Sequence, residues 1–113
     1  MNIQIFGTKK SSDTRKAERW FKERRIKFQY INLQEKEISK GELTSVSQAV
    51  GGLSNLIDEK AKDSYAVALL QHTPDSMLLE KLLENQQVLR MPIVRNGRQA
   101  TVGYAPDTWK TWE

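Results

Sequence analysis

The side chains best suited to chemistry gather near the start of the chain, in the run GTKKSSDTRK. There Ser11 and Ser12 are bracketed by Lys9, Lys10, Arg15 and Lys16, just ahead of an apolar-periodic segment. A group at the start of a helix meets unpaired backbone N–H groups and the positive end of the helix dipole, so this pattern suits an anion. Nothing around Ser11 spells the Gly-x-Ser-x-Gly elbow of a serine hydrolase. His72, the only histidine, falls in the polar joint Gln71-His72-Thr73-Pro74 and would first have to come within hydrogen-bond reach of the loop to act on it. The chain has no cysteine, which excludes disulfides, thiolate metal sites and thiol chemistry. One histidine and no paired acidic spacing leave no metal site and no cofactor motif.

Charge follows the same asymmetry. Residues 1–30 carry nine Lys or Arg against Asp13, Glu18 and Glu23, so that segment is net +6 within a chain of net +4. A basic end attracts anions or nucleic acid. The plainer account is a solvated helix face, because Glu18–Lys22, Arg19–Glu23 and Glu23–Lys27 are spaced for i,i+4 pairing. With no aromatic interleaving and no recognition module, the sequence argues against direct nucleic-acid binding. No apolar run is long enough for a signal peptide or a membrane span, so a cytoplasmic protein is expected.

The elements that must position the loop can be read from periodicity. Asn2 to Phe6 alternates as a strand that Gly7 is expected to break, and Ser12 or Asp13 is expected to cap the helix after it. Ala17, Trp20 and Phe21 form the helix's buried stripe, with fraying near Arg24 or Arg25. Lys27 to Asn32 reads as a second, parallel strand, completing a βαβ unit. From about residue 35 to 86 the pattern is helical, interrupted at Gly51-Gly52 and restarted at Pro74-Asp75. Pro92-Ile93-Val94 and Gln99 to Val102 then flank the turn signal Asn96-Gly97, ahead of a short helix from Ala105. Trp109 and Trp112 share one face of that helix and, like Trp20, are expected to be core or helix-packing residues, with partial exposure near a chain end as the alternative. The expected architecture is one α/β domain over residues 1–113: a βαβ unit plus a ββα unit with a helical insertion between them, the thioredoxin-like arrangement.

Three segments, in order, carry a resemblance. IFGTKKSSDTRKAERWF resembles the first strand, active loop and first helix of the ArsC/Spx family, with Arg15-Lys16-Ala17 at its helix start and Trp20-Phe21 in its apolar stripe. RMPIVRNGRQATVGY is similar to that family's proline strand, hairpin and Gly-Tyr or Gly-Arg exit. GGLSNLIDEKAKDSY matches more weakly a Gly, Leu-Leu-Asn and Tyr stretch.

The resemblance implies a thioredoxin-like fold with the redox nucleophile at position 11, where this chain has Ser11. It further implies a cis-proline at Pro92 facing the loop, with Arg90 beside it. Thr8, Lys9, Lys10, Ser12 and Arg15 would then bind an anion or a small-thiol substrate. Electrons would come from glutathione or a thioredoxin-type donor. Two accounts of Ser11 stay open: a natural serine in a binding module, or a replacement for cysteine or selenocysteine. A serine cannot support the family's redox step. Classical arsenate reduction is further disfavoured, because Met91 precedes the proline, Tyr104 follows Gly103, and Asp58 falls near a family arginine. The alternative is an Spx-like regulator that binds a protein, the RNA polymerase α subunit in that branch, through the basic first helix and the Gly51-Gly52 region.

Overall fold

In the computed structural model, which describes residues 1–112, the first strand becomes the centre of the sheet. Strand β1 (Ile3–Gly7) pairs in parallel with β2 (Phe28–Asn32) on one side and antiparallel with β3 (Ile93–Asn96) on the other. β4 (Gln99–Val102) pairs with β3, so the order is β2-β1-β3-β4. Helix α1 (Ser12–Glu23) crosses between β1 and β2. Helices α2 (Lys40–Val50), α3 (Ser64–Gln71) and α4 (Asp75–Glu84) fill the expected helical stretch, and α5 (Pro106–Trp109) follows the hairpin.

Strand alternation sends side chains to two different cores. Ile3, Ile5 and Val94 pack with Ala17, Trp20 and Phe21 of α1 and with Trp109 and Trp112. On the opposite face Phe6, Ile31 and Ile93 pack with Leu43, Leu56, Leu70, Leu78 and Leu82 of the helical stretch. The first core is aromatic. Trp109 lies with its ring centroid 5.0 Å from Phe21 and 5.4 Å from Trp20, and its indole N–H donates to the buried Thr101 hydroxyl at 2.8 Å. Each such ring pair is worth about 0.5–1.5 kcal/mol beyond area burial. The second core is aliphatic apart from Phe6 and is tied to the chain leaving β2 by the buried Gln86 side chain. Its Oε1 accepts from Ile38 N at 2.9 Å and its Nε2 donates to Ile38 O at 3.0 Å.

Several expectations change on contact with the fold. Gly7 does not break β1; it is the last paired residue, opposite Asn32. Its missing side chain is a packing requirement, since a Cβ there would lie 2.4 Å from Thr14 Oγ1. β3 starts at Ile93 rather than Pro92, which has no N–H for the ladder. The hairpin centres on Gly97-Arg98 rather than Asn96-Gly97, because Asn96 still pairs with Gln99. Gly97 takes φ +62, and a positive φ at the first central position is the type II′ requirement. Trp109 and Trp112 are buried, as the helix-packing reading expects, because the final helix folds back onto α1. α1 ends at Glu23 with Arg24 as its C-cap, close to the expected fraying point, and Arg25 takes a positive φ of 58. No helix is long and apolar enough to cross a membrane among the described residues.

Candidate functional site

The loop between β1 and α1 is built from short-range bonds that face the start of β3. Phe6 lies opposite Ile93 in the antiparallel register, so one step further along places Pro92 beside Gly7 and the loop. The Met91–Pro92 peptide is cis. Ser11 N–H donates to Thr8 O at 3.1 Å, which turns the chain, and Ser11 O then accepts from Arg15 N–H as the first helical bond. Ser11, rather than Ser12 or Asp13, is the N-cap of α1: its Oγ accepts from Thr14 N–H at 3.2 Å. Ser12 starts the helix in solvent, and Asp13 is half-buried. The preference follows from backbone geometry. A cap needs extended backbone, and Ser11 has φ −81, ψ 117, where the turn through Thr8 leaves it.

The remaining expected binding residues are distributed unevenly. Thr8 is nearly buried and contributes its carbonyl. Lys10 is exposed beside Ser11. Arg15 reaches back and donates from Nη1 to the Lys9 carbonyl, bracing the loop. Lys9 is engaged by Glu18 and Tyr30. Its Nζ donates to both carboxylate oxygens of Glu18, at 3.0 and 3.1 Å, and sits 4.5 Å from the centre of the Tyr30 ring. Tyr30 OH donates to Gly7 O at 3.4 Å. Burial pushes the Tyr30 phenol above its usual range, with the Lys9 charge opposing and Glu18 adding to the rise.

Glu18 was expected to pair with Lys22 on a solvated face. It is instead buried, and none of the three expected i,i+4 pairs on α1 forms among the described residues. The signal was present in the sequence. Thr14, Ala17, Glu18 and Phe21 fall at i, i+3, i+4 and i+7, which is the buried stripe of this helix. Tyr30 lay in a strand and carried no such signal.

Beside the loop lies a cleft of about 600 Å³, walled by Asp13 of α1, by Asn55, Asp58, Glu59 and Lys60, and by Arg90, Met91 and Gly103. Arg90 is held in place here. Its backbone N–H donates to Leu56 O at 2.8 Å, and its guanidinium donates to Asn55 O at 3.4 Å. Gly103, with φ +81, lets Arg90 lie close; a Cβ there would be 3.4 Å from Arg90 Nη2. The cleft therefore mixes Arg90 and Lys60 with Asp13, Asp58 and Glu59. His72 lies outside it at the end of α3, with Nδ1 2.8 Å from Ala68 O. No group of three or more His, Asp or Glu side chains is arranged to hold a metal among the described residues.

Comparison with known proteins gives the fold and its relatives. The family model described as the ArsC family matches residues 6–112. The global transcriptional regulator Spx 2 of Oceanobacillus iheyensis is 31% identical over 109 residues, covering 95% of this chain and 80% of its own. An ArsC family related protein from Bacteroides fragilis superposes with a TM-score of 0.86 at 18% identity, covering 100% and 98% of the two chains. An arsenate reductase from Vibrio cholerae superposes with a TM-score of 0.80 at 24% identity, covering 96% and 94%. The fold is the thioredoxin-like α/β class expected from the element order.

Proposed function

We propose, for a chain that belongs to the ArsC family, that position 11 is the seat of a thiol or selenol redox nucleophile. With Ser11 in place, the domain keeps the binding cleft and lacks the chemistry. The observation that carries this reading is the cap itself: the side-chain oxygen of Ser11 already accepts the Thr14 N–H at a helix start. A thiolate at that atom would be stabilised by the same donor, by the helix dipole and by Lys10 beside it. A hydroxyl titrates far higher, stays protonated and has no accessible redox state. Pro92 and Arg90 would form the opposite wall for a small-thiol substrate, with glutathione or a thioredoxin-type protein as donor in a cytoplasmic setting. Thr8, Ser12 and Arg15 would shape the loop that receives it.

Arsenate suits the cleft poorly. Met91 precedes Pro92, and Asp13, Asp58 and Glu59 set carboxylates on the walls where an oxyanion would need cations. The test is Ser11→Cys, followed by the pH dependence of iodoacetamide alkylation. The expected thiol midpoint is below about 7.5, and a midpoint near the free-cysteine value of about 8.5 overturns the reading.

A second reading, a regulatory module that binds protein rather than turning over substrate, is favoured by the likeness to Spx 2 over 95% of the chain. On that reading the exposed cations of α1, left without their expected carboxylates, would face the partner. Binding of the RNA polymerase α subunit to the Ser11 chain supports it. No binding at micromolar concentrations, together with a low Ser11→Cys midpoint, decides for the enzyme scaffold.

A further inference from the structure

Lys9 is the cation that sequence alone would assign to anion binding, two residues before position 11. Its surroundings assign it elsewhere. Its ammonium makes two charge-assisted hydrogen bonds to Glu18, whose side chain is only 9% exposed, and lies over the Tyr30 ring. Glu18 projects from the second turn of α1 and Tyr30 from the middle of β2, so one side chain of the loop is pinned to two separate elements. The backbone is pinned at the same place, with Tyr30 OH on Gly7 O and Arg15 on the Lys9 carbonyl. A carboxylate this buried requires a partner, and Lys9 is the one it has. The ammonium thus spends two of its hydrogen bonds on Glu18, while the Lys9 side chain stays 64% exposed.

We infer that Lys9, clamped by Glu18 and Tyr30, is a positioning residue: it holds the loop so that residue 11 caps α1, and it does not bind the ligand. The inference rests on position 11 being the working position, but it has its own readout in the Ser11 chain. Amide hydrogen exchange at Ser11 and Thr14 reports the two bonds that shape the cap, Ser11 N–H to Thr8 O and Thr14 N–H to Ser11 Oγ. Lys9→Met and Glu18→Gln are each expected to speed exchange at both amides by about tenfold, through local opening. Glu42 N–H, at the start of α2, is expected to keep its rate and so shows that the rest of the fold is intact. Lys9→Arg keeps the ion pair and is expected to restore slow exchange.

The same changes made on Ser11→Cys separate positioning from direct electrostatics. If Lys9 positions the loop, Lys9→Met and Glu18→Gln both raise the alkylation midpoint, and the double variant is no worse than either. If Lys9 acts by its charge on residue 11, the two move the midpoint in opposite directions, because Glu18→Gln sets the ammonium free. Opposite shifts, or unchanged exchange at Ser11 and Thr14, overturn the inference. An ordinary midpoint for Ser11→Cys alongside the expected exchange pattern overturns only the reading of position 11.

Discussion

Helices α1 and α2 both begin on a serine whose hydroxyl accepts the amide three residues on: Ser11 from Thr14 at 3.2 Å, and Ser39 from Glu42 at 3.1 Å. At Ser39 the exchange is reciprocal. The Glu42 carboxylate returns to Ser39 N–H at 2.9 Å, closing a capping box in an exposed position. At Ser11 the third residue is Thr14, which is fully buried, packs against Gly7 and has an unpartnered hydroxyl. No carboxylate closes this cap; Ser11 N–H is satisfied by Thr8 O instead. One helix start is thus finished by its own sequence. The other is finished by a loop that Lys9, Arg15 and Tyr30 hold from outside, and it is set beside the cleft. The same residue at the same helical position ends a structural element in one place and presents an acceptor atom in the other.

The largest expected effect comes from the packing beneath the α1 cap. Gly7→Ala drives a Cβ to 2.4 Å from Thr14 Oγ1 and should destabilise by about 1–3 kcal/mol in denaturant melts. Combining it with Thr14→Ala removes the two closest atoms and should recover much of that loss. The matched change at the other start, Gly41→Ala, meets nothing within 4 Å and should stabilise by about 0.5–1 kcal/mol. If both glycines respond alike, the distinction between the two helix starts fails.

Next in size is a comparison of thiols. Ser11→Cys should titrate at least about one unit below Ser39→Cys, equivalent to about 1.4 kcal/mol, because the Glu42 carboxylate opposes a thiolate at the second cap. Equal midpoints would mean that any helix start in this molecule behaves as the α1 loop does. Plain cap removal is smaller. Ser39→Ala should cost about 1 kcal/mol in thermal melts and Ser11→Ala about 0.5 kcal/mol, since the first breaks a reciprocal pair and the second a single bond.

The smallest effect is at a third cap, Asp63 of α3. A hydrogen bond from Gln87 and another from Ala66 N–H, each at 3.0 Å, hold its carboxyl below the usual range. A carboxyl depressed in the folded state adds stability that is complete above its unfolded value and is lost as pH falls through the folded one. Asp63→Asn should therefore lose a small part of the stability at neutral pH and flatten the acid limb, the difference from the parent chain shrinking as pH falls below about 4.

Much of the fold was legible because its signals are local. The alternation of NIQIF, the stripe Ala17-Trp20-Phe21 and the helical run between the two parts of the sheet each state a preference that neighbours a few residues away can satisfy. The geometry of the candidate site was legible in outline: Ser11 lies in the loop ahead of α1, and the sheet register brings Pro92 beside that loop. What misled was reading helix α1 as isolated. Glu18 beside Lys22 looks like a surface pair only while nothing covers the stripe on which Glu18 lies.

From the sequence alone came the βαβ and ββα order, the basic loop before α1 and the absence of any thiol, since each depends on residue identity and short-range periodicity. The tertiary structure decided which serine caps α1, that Gly7 is there to admit Thr14, and that Lys9 is bound to Glu18 and Tyr30. It also set Asp13, Asp58 and Arg90 around one cleft. Those outcomes depend on which elements come within a few ångströms of one another. Charges and hydroxyls bond to whatever partner arrives at that distance, whether three residues away or eighty.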